Sequence, residues 1–223
     1  MRLASTPLTR ALVHNSVRLA LFALLTTGLV SLTWIATRSH IASQIRSNEE
    51  KTLKEVLPDD PFDNILGNSR LTLPAPEQLG WATSQPQGWF ACRDSNIEAL
   101  VLPVVAPDGY SGQIRLLVAI DRQGTLTGVR ATAHRETPGL GDGIETRVSG
   151  WIRIFSGKSL NNPTRAGWAV TKDGGQFDQF TGATITPRAV VTAVYRTLVY
   201  FSHYRNRLLG FDDHCPPGKS TAP

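Results

Sequence analysis

Asp178 to Thr186 reads DQFTGATIT, a short polar run that opens onto a long amphipathic stretch. Its middle, Thr181-Gly182-Ala183-Thr184, is a tight turn of small residues feeding a helix N-terminus. Such an end offers N–H groups without intrahelical partners and a partial positive charge, both suited to a phosphate. Gly182 lets the backbone approach a ligand closely. The Thr184 hydroxyl can bond to a phosphate or be linked to one covalently. The same residues also fit a capped turn with solvated hydroxyls, so this run alone is a weak anion signal.

A second segment, His134 to Asp142 (HRETPGLGD), follows an apparent strand and carries two Gly and a Pro. It reads equally as a surface loop. Gly139 and Gly141 supply a G-x-G, but the third Gly and the βαβ setting of a dinucleotide fingerprint are missing. Cys92 and Cys215 lie outside any C-x-x-C pattern, and His214 beside Cys215 is too little for a metal site. Iron–sulfur ligation normally needs four Cys, so no metal is expected. In an oxidising compartment the two Cys can form a disulfide, which only geometry decides. His14, His40, His134 and His203 are isolated and read as structural or solvated. Trp81, Trp89, Trp151 and Trp168 read as packing residues rather than electron relays.

These segments need elements to hold them. Pro187 to Leu208 places Val190, Val194, Leu198, Phe201 and Leu208 on one face at helical spacing. Thr186 is the expected N-cap and Pro187 the first helical residue. Glu98 to Ala106 reads as a strand broken by Pro103. Ile114 to Asp121 and Leu126 to Ala133 read as a hairpin turning at Arg122-Gln123-Gly124. Gly150 to Phe155 fits helix or strand, and Trp168 to Val170 a short strand. Hairpins and helices without repeated βαβ units indicate an α+β fold.

Leu19 to Thr37 (LALFALLTTGLVSLTWIAT) is an uncharged run of 19 residues between Arg18 and Arg38. It is long enough to cross a bilayer, and Trp34 lies near one end, where aromatic rings favour the interface. Thr26, Thr27, Ser31 and Thr33 can bond back to helix carbonyls. The long leading segment and the lack of a clear A-x-A site favour an uncleaved anchor over a signal peptide. The chain's 23 Lys and Arg exceed its 18 Asp and Glu by five, and three of the Arg precede the end of this run, where there is no acid. The remainder is nearly neutral and has no Lys/Arg run, which excludes a typical phosphate-backbone binder. Flanking charge does not fix the orientation, but a short head before a large tail suits a cytoplasmic N-terminus with the domain outside. The expected organisation is therefore a cytoplasmic head at 1–18, a transmembrane helix at 19–37, a stalk helix and linker wrap at 38–90, the ligand-binding domain at 91–210 and a tail at 211–223. Within the stalk, Ile41, Ile45, Leu53 and Leu57 are at helical spacing and Pro58 ends the helix.

Four ordered blocks carry a family resemblance: GYSGQIRLLVAID (Gly109 to Asp121), HRETPGLGDGIE (His134 to Glu145), SGKSL (Ser156 to Leu160) and DQFTGATITPRAVVTAV (Asp178 to Val194). With them the chain resembles the RnfG family, the FMN-binding subunits of the Rnf ion-translocating electron-transport complex. It resembles more distantly the flavin-carrying C-type subunits of the sodium-pumping NADH:quinone oxidoreductase. The last block fits the flavinylation pattern D-x-x-[ST]-G-A-T. The resemblance implies FMN joined by its phosphate to Thr184, with a separate flavin transferase making the bond from FAD. Asp178, Thr181, Gly182, Ala183 and Thr184 then form the transferase recognition pattern, and no residue is expected to be a catalyst. Glu136, Thr137, Gly139, Leu140, Gly141, Lys158, Thr181, Gly182, Ala183 and Thr186 are the expected flavin contacts. Within them, the N–H groups near Gly139 to Gly141 face the polar ring edge, Leu140 packs on a ring face, and Lys158 approaches the phosphate or ring. The family often has Lys where this chain has Gly143. The implied protein is a membrane-anchored electron carrier of the bacterial inner membrane, its domain periplasmic and its partners the other subunits of the complex. That complex couples ferredoxin–NAD electron transfer to ion movement, and the carrier by itself need have no turnover. The rival reading is a membrane-tethered, non-redox binding or assembly module; a soluble quinone reductase fits neither the anchor nor the missing nicotinamide site.

Overall fold

The computed structural model describes residues 7–57, 69–210 and 215. Pro58, the 58–68 part of the expected linker, and the tail other than Cys215 lie outside the described residues, as do the side chains of Ile41 and Ile45. The chain divides into two compact units, 1–48 and 49–223.

The first unit is helical. Helix α1 (Pro7–Val56) begins here, and its residues from Glu49 on belong to the second unit. Leu12–Arg38 has a mean hydropathy of 2.0, and this helix is long and apolar enough to cross a membrane. Its large apolar side chains are exposed along the whole stretch. Two of the hydroxyls that dilute it are internally satisfied: Thr26 donates to the Phe22 carbonyl (2.9 Å) and Thr33 to that of Leu29 (2.9 Å). This is the back-bonding by which a polar residue survives in a dry environment.

The second unit is an antiparallel sheet of five strands in sequential order: β1 (Arg70–Thr72), β2 (Gln87–Arg93), β3 (Asn96–Ala106), β4 (Ile114–Asp121) and β5 (Leu126–Ala133). Helix α2 (Ile185–Leu209) covers one face. Leu100, Leu102 and Val104 of β3, with Leu116, Val118 and Ile120 of β4, meet Val190, Val194, Leu198 and Phe201 of α2 in the main core. Strand alternation sends Ala99, Val101, Leu117 and Ala119 to the other face, where Leu53, Val56 and Leu57 cover them. Both faces are thus dry, which is why β3 reads as a continuous apolar run. The whole is an α+β fold, as expected.

Three expectations change. The segment assigned to a linker wrap supplies β1 and the start of β2, so the sheet begins well before residue 91. A three-residue edge strand and a strand opening on Gln87-Gly88 carry too little pattern to stand out. Pro103 does not break β3, because β2 pairs only as far as Val101 and the Pro103 carbonyl accepts from Trp81 Nε1 (2.9 Å). Trp168 to Val170 forms no strand; Val170 makes only an isolated bridge to Phe177. Trp151–Phe155 is a 3₁₀ helix. The β2–β3 turn, unmarked by Gly, uses Asp94 (φ 50°) and Ser95 (φ 64°) in the paired left-handed geometry of a two-residue hairpin. A disulfide joins Cys92 of β2 to Cys215, Cα–Cα 5.7 Å.

The last turn of α1 sits tightly on β5. Thr127 Oγ1 donates to the Val56 carbonyl (2.9 Å) and Arg130 Nη2 to that of Glu55 (2.8 Å). A Cβ on Gly128 would lie 2.5 Å from the Val56 carbonyl oxygen. Gly128→Val should therefore lower stability by about 1–3 kcal/mol, the usual cost of overpacking. Denaturant unfolding of the full chain in detergent measures it; an unchanged midpoint would contradict the close approach.

Candidate functional site

A cavity of about 310 Å³ opens between two segments far apart in sequence. One is the loop leaving β5, which contributes Glu136, Thr137, Leu140 and Gly141; the other is the turn entering α2, with Gly182, Ala183, Thr184 and Thr186. Tyr110, from the β3–β4 turn, and Ile185 complete the lining. The volume lies near the lower end of the roughly 300–1,000 Å³ typical of ligand pockets.

The turn is held from behind. Phe180 lies edge-on to Trp151, with centroids 5.2 Å apart, and its carbonyl accepts from the Ala183 N–H (3.1 Å). Gly143 is pressed to the same ring: a Cβ there would fall 2.8 Å from Phe180 Cζ. A side chain at position 143 would have to push the Phe180 ring aside. Gly182 adopts φ +81°, a left-handed conformation that disfavours any other residue.

Helix α2 begins at Ile185, two residues before the expected start, and its cap is Thr184 rather than Thr186. Thr184 has helical backbone angles and its side chain makes no capping bond. Thr184 is half-buried and lines the cavity, its side chain free of that duty. The N–H groups of a helix's first turn have no intrahelical acceptor. Thr186 is buried and gives its hydroxyl to Glu136 Oε2 in a very short contact.

Glu136 is the buried post of the site. Its Oε1 accepts from the Ser111 N–H (2.9 Å) and its Oε2 from Thr186, so one carboxylate ties three segments together. Each oxygen is bonded once within the protein, so Glu136, itself part of the lining, braces the cavity walls. Gly141 packs against it so closely that a Cβ would lie 2.9 Å from Glu136 Cβ and Thr186 Oγ1. The N–H groups of Leu140 (3.1 Å) and Gly141 (3.0 Å) both turn onto the Thr137 carbonyl. They are committed to closing the loop, which corrects the expectation that they face a ligand. His134 clamps the loop's base. Its Nδ1 accepts from the Glu136 N–H (3.1 Å), leaving Nε2–H to donate to Glu145 Oε1 (2.9 Å). A hydrogen bond from Arg147, then the charge of Arg147 and the bond to His134, hold the Glu145 carboxyl below its usual range against the opposing effect of desolvation.

Several expected contacts do not meet the cavity. Lys158 lies elsewhere: its carbonyl accepts from the Leu126 N–H (2.8 Å) at the start of β5. Asp178, Thr181 and Gly139 are exposed and outside the lining. The Asp178 carbonyl accepts from Trp151 Nε1 (2.7 Å). Tyr110 and Ile185 are site residues that the sequence does not single out. Their only signals are a Tyr between Gly109 and Gly112, and an apolar residue at the helix start off the buried face. Among the described residues no cluster of three or more His, Cys, Asp or Glu could hold a metal.

Residues 109–199 match the family model of the FMN-binding domain, and residues 1–56 that of the RnfG N-terminal region. The cavity thus lies inside a domain of the FMN-binding class. The G subunit of the ion-translocating oxidoreductase complex of Pseudomonas aeruginosa (strain UCBPP-PA14) is 48% identical over 200 residues, covering 90% of this chain and 93% of the relative. That of Vibrio vulnificus (strain YJ016) is 43% identical over 205 residues, covering 92% and 96%. The crystal structure of Shewanella oneidensis NqrC aligns with a TM-score of 0.46 at 25% identity, over 66% of this chain and 71% of that one. The chain belongs to the RnfG family, the G subunits of ion-translocating oxidoreductase complexes.

The residues present fit FMN. Exposed apolar side chains of Tyr110, Leu140 and Ile185 offer surface to a flat ring system. The hydroxyls of Thr137 and Thr184 and the start of α2 suit ribityl and phosphate oxygens.

Proposed function

We propose that this protein is a membrane-anchored electron carrier with FMN joined through a phosphoester to Thr184. The observation that carries the reading is Thr184, which lines the cavity at the start of α2 with a side chain that makes no capping bond. A phosphoester there gains roughly 0.3–1 kcal/mol from the helix dipole at an exposed site, more where partly buried. Bound FMN supplies reversible one- and two-electron transfer. The chain's own residues do the rest: Thr184 tethers, Thr137 offers a hydroxyl, Leu140 and Ile185 exclude water from the apolar side, and Glu136 fixes the walls. A separate flavin transferase makes the bond from FAD. Exposure of Asp178 and Thr181 outside the cavity suits recognition by that enzyme better than contact with the cofactor.

The protein works with the other subunits of its complex, coupling electron transfer between ferredoxin and NAD to ion movement across the bacterial inner membrane. Its apolar helix is the anchor. The Cys92–Cys215 disulfide favours a periplasmic domain, since such bonds persist in oxidising compartments. Co-expression with a flavin transferase should give a fluorescent band at the mass of this chain on a denaturing gel. A dark band under those conditions supports a non-redox assembly module instead.

A further inference from the structure

We propose that Tyr110 covers one face of the isoalloxazine ring and thereby controls the emission of the bound flavin; the assignment rests on the FMN reading above. Six large apolar or aromatic side chains are exposed among the described residues beyond 49: Tyr110, Leu140, Val148, Ile154, Ile185 and Val199. Three of them, Tyr110, Leu140 and Ile185, line the one cavity that also holds Thr184. Tyr110 is the most exposed of the three, at 68%. Apolar exposure concentrated at a cavity mouth marks a surface that a ligand covers.

The other three of the chain's four tyrosines are occupied. Tyr200 donates to the Pro74 carbonyl (2.6 Å), Tyr204 accepts from Gln78 Nε2 (3.2 Å), and Tyr195 lies under the Arg165 guanidinium (4.3 Å). Among the described residues the Tyr110 phenol has neither a hydrogen bond nor a ring contact. Its backbone is nonetheless fixed. The Ser111 N–H is bonded to buried Glu136, and Gly112 N–H reaches the Gly109 carbonyl (3.4 Å). A Cβ on Gly109 would lie 2.3 Å from the Gly112 oxygen, so this turn admits only Gly there. A braced backbone carrying an unpartnered ring, with only two side-chain torsions to settle, is well prepared for an offset stack on a flat aromatic ligand.

A phenol stacked on a flavin gives an electron to the photoexcited ring and takes it back, which returns both to the ground state without emission. The test uses the full chain, flavinylated by co-expressed transferase and purified in detergent, and compares emission per bound flavin before and after denaturation. Wild type is expected to be dim when folded and to brighten on denaturation. Tyr110→Phe keeps a stacking ring but is a far poorer electron donor; Tyr110→Leu removes both properties. Both variants should keep the denaturing-gel band and should be several-fold brighter than wild type when folded. Only Tyr110→Leu should shift the visible absorption band, while Tyr204→Phe should match wild type throughout. An intact band with folded emission unchanged in both Tyr110 variants overturns this assignment alone. A missing band in wild type overturns the flavin reading and this assignment with it.

Discussion

Thr184→Ala is expected to abolish covalent flavin completely while the domain stays folded. The substitution removes the only atom able to carry the phosphoester at that position. It costs the fold little, because the Thr184 side chain makes no capping bond and is only half-buried. The backbone duty of the residue, its carbonyl accepting from the Arg188 N–H (3.2 Å), survives in Ala. Losing the Thr methyl and hydroxyl at such a site changes stability by about 1 kcal/mol or less. In-gel fluorescence should fall to background, and intact mass should show the unmodified chain, with thermal unfolding of the variant close to that of unflavinylated wild type. Thr184→Ser is the companion, since a primary hydroxyl at the same place can still be esterified. Covalent FMN retained in Thr184→Ala would refute the assignment outright.

Glu136→Ala should have the largest effect on the fold around the site. It strips the acceptor from the Ser111 N–H and from the buried Thr186 hydroxyl at once. The buried Thr186 hydroxyl left unsatisfied costs about 1–3 kcal/mol, and the void left by the side chain adds to that. Three segments lose their common tie: the β3–β4 turn, the loop after β5 and the first turn of α2. Both stability and flavin yield should therefore drop together. Glu136→Gln should be milder, because its amide oxygen keeps one acceptor and the Thr186 hydroxyl can rotate to accept from the amide nitrogen. Thermal unfolding of both variants beside the flavin yield of each decides the matter. Wild-type stability in Glu136→Ala would show that the carboxylate is not the post described.

Elements with a clear period are legible from the residues. The face of α2 follows from Val190, Val194, Leu198 and Phe201, and the β4–β5 hairpin from two apolar runs either side of Gly124. The apolar stretch of α1 needs only its length and lack of charge. Elements whose identity depends on a neighbour are not legible. The three residues of β1 are a strand only because β2 lies beside them, and Pro103 is tolerated only because β2 ends short of it. The site divides the same way. Only family resemblance brings the loop at 136–141 to the turn at 182–186, because no local spacing links segments that far apart. Thr186 reads as a cap because a Thr before a Pro usually is one. The structure gives its hydroxyl a buried carboxylate fifty positions away in sequence instead. Lys158 reads as available because of its charge, yet its loop is pinned to β5 by backbone bonds that its side chain does not announce.

The sequential order of the five strands bears on how the protein matures. Each strand pairs with the one made just before it, so the sheet can grow in the order of synthesis, with little chain to close at each step. Helix α2 is made after all five strands and packs against the face of the sheet they form. Thr184, the proposed acceptor, stands at the head of that helix, beside a loop tied down by residues made long before. An enzyme that reads this turn in its native shape therefore reads the folding of everything upstream. If FMN is attached at Thr184 as proposed, attachment would be an inspection step: chains with a faulty sheet would go unmarked, and the dark fraction of a preparation would measure how many they are.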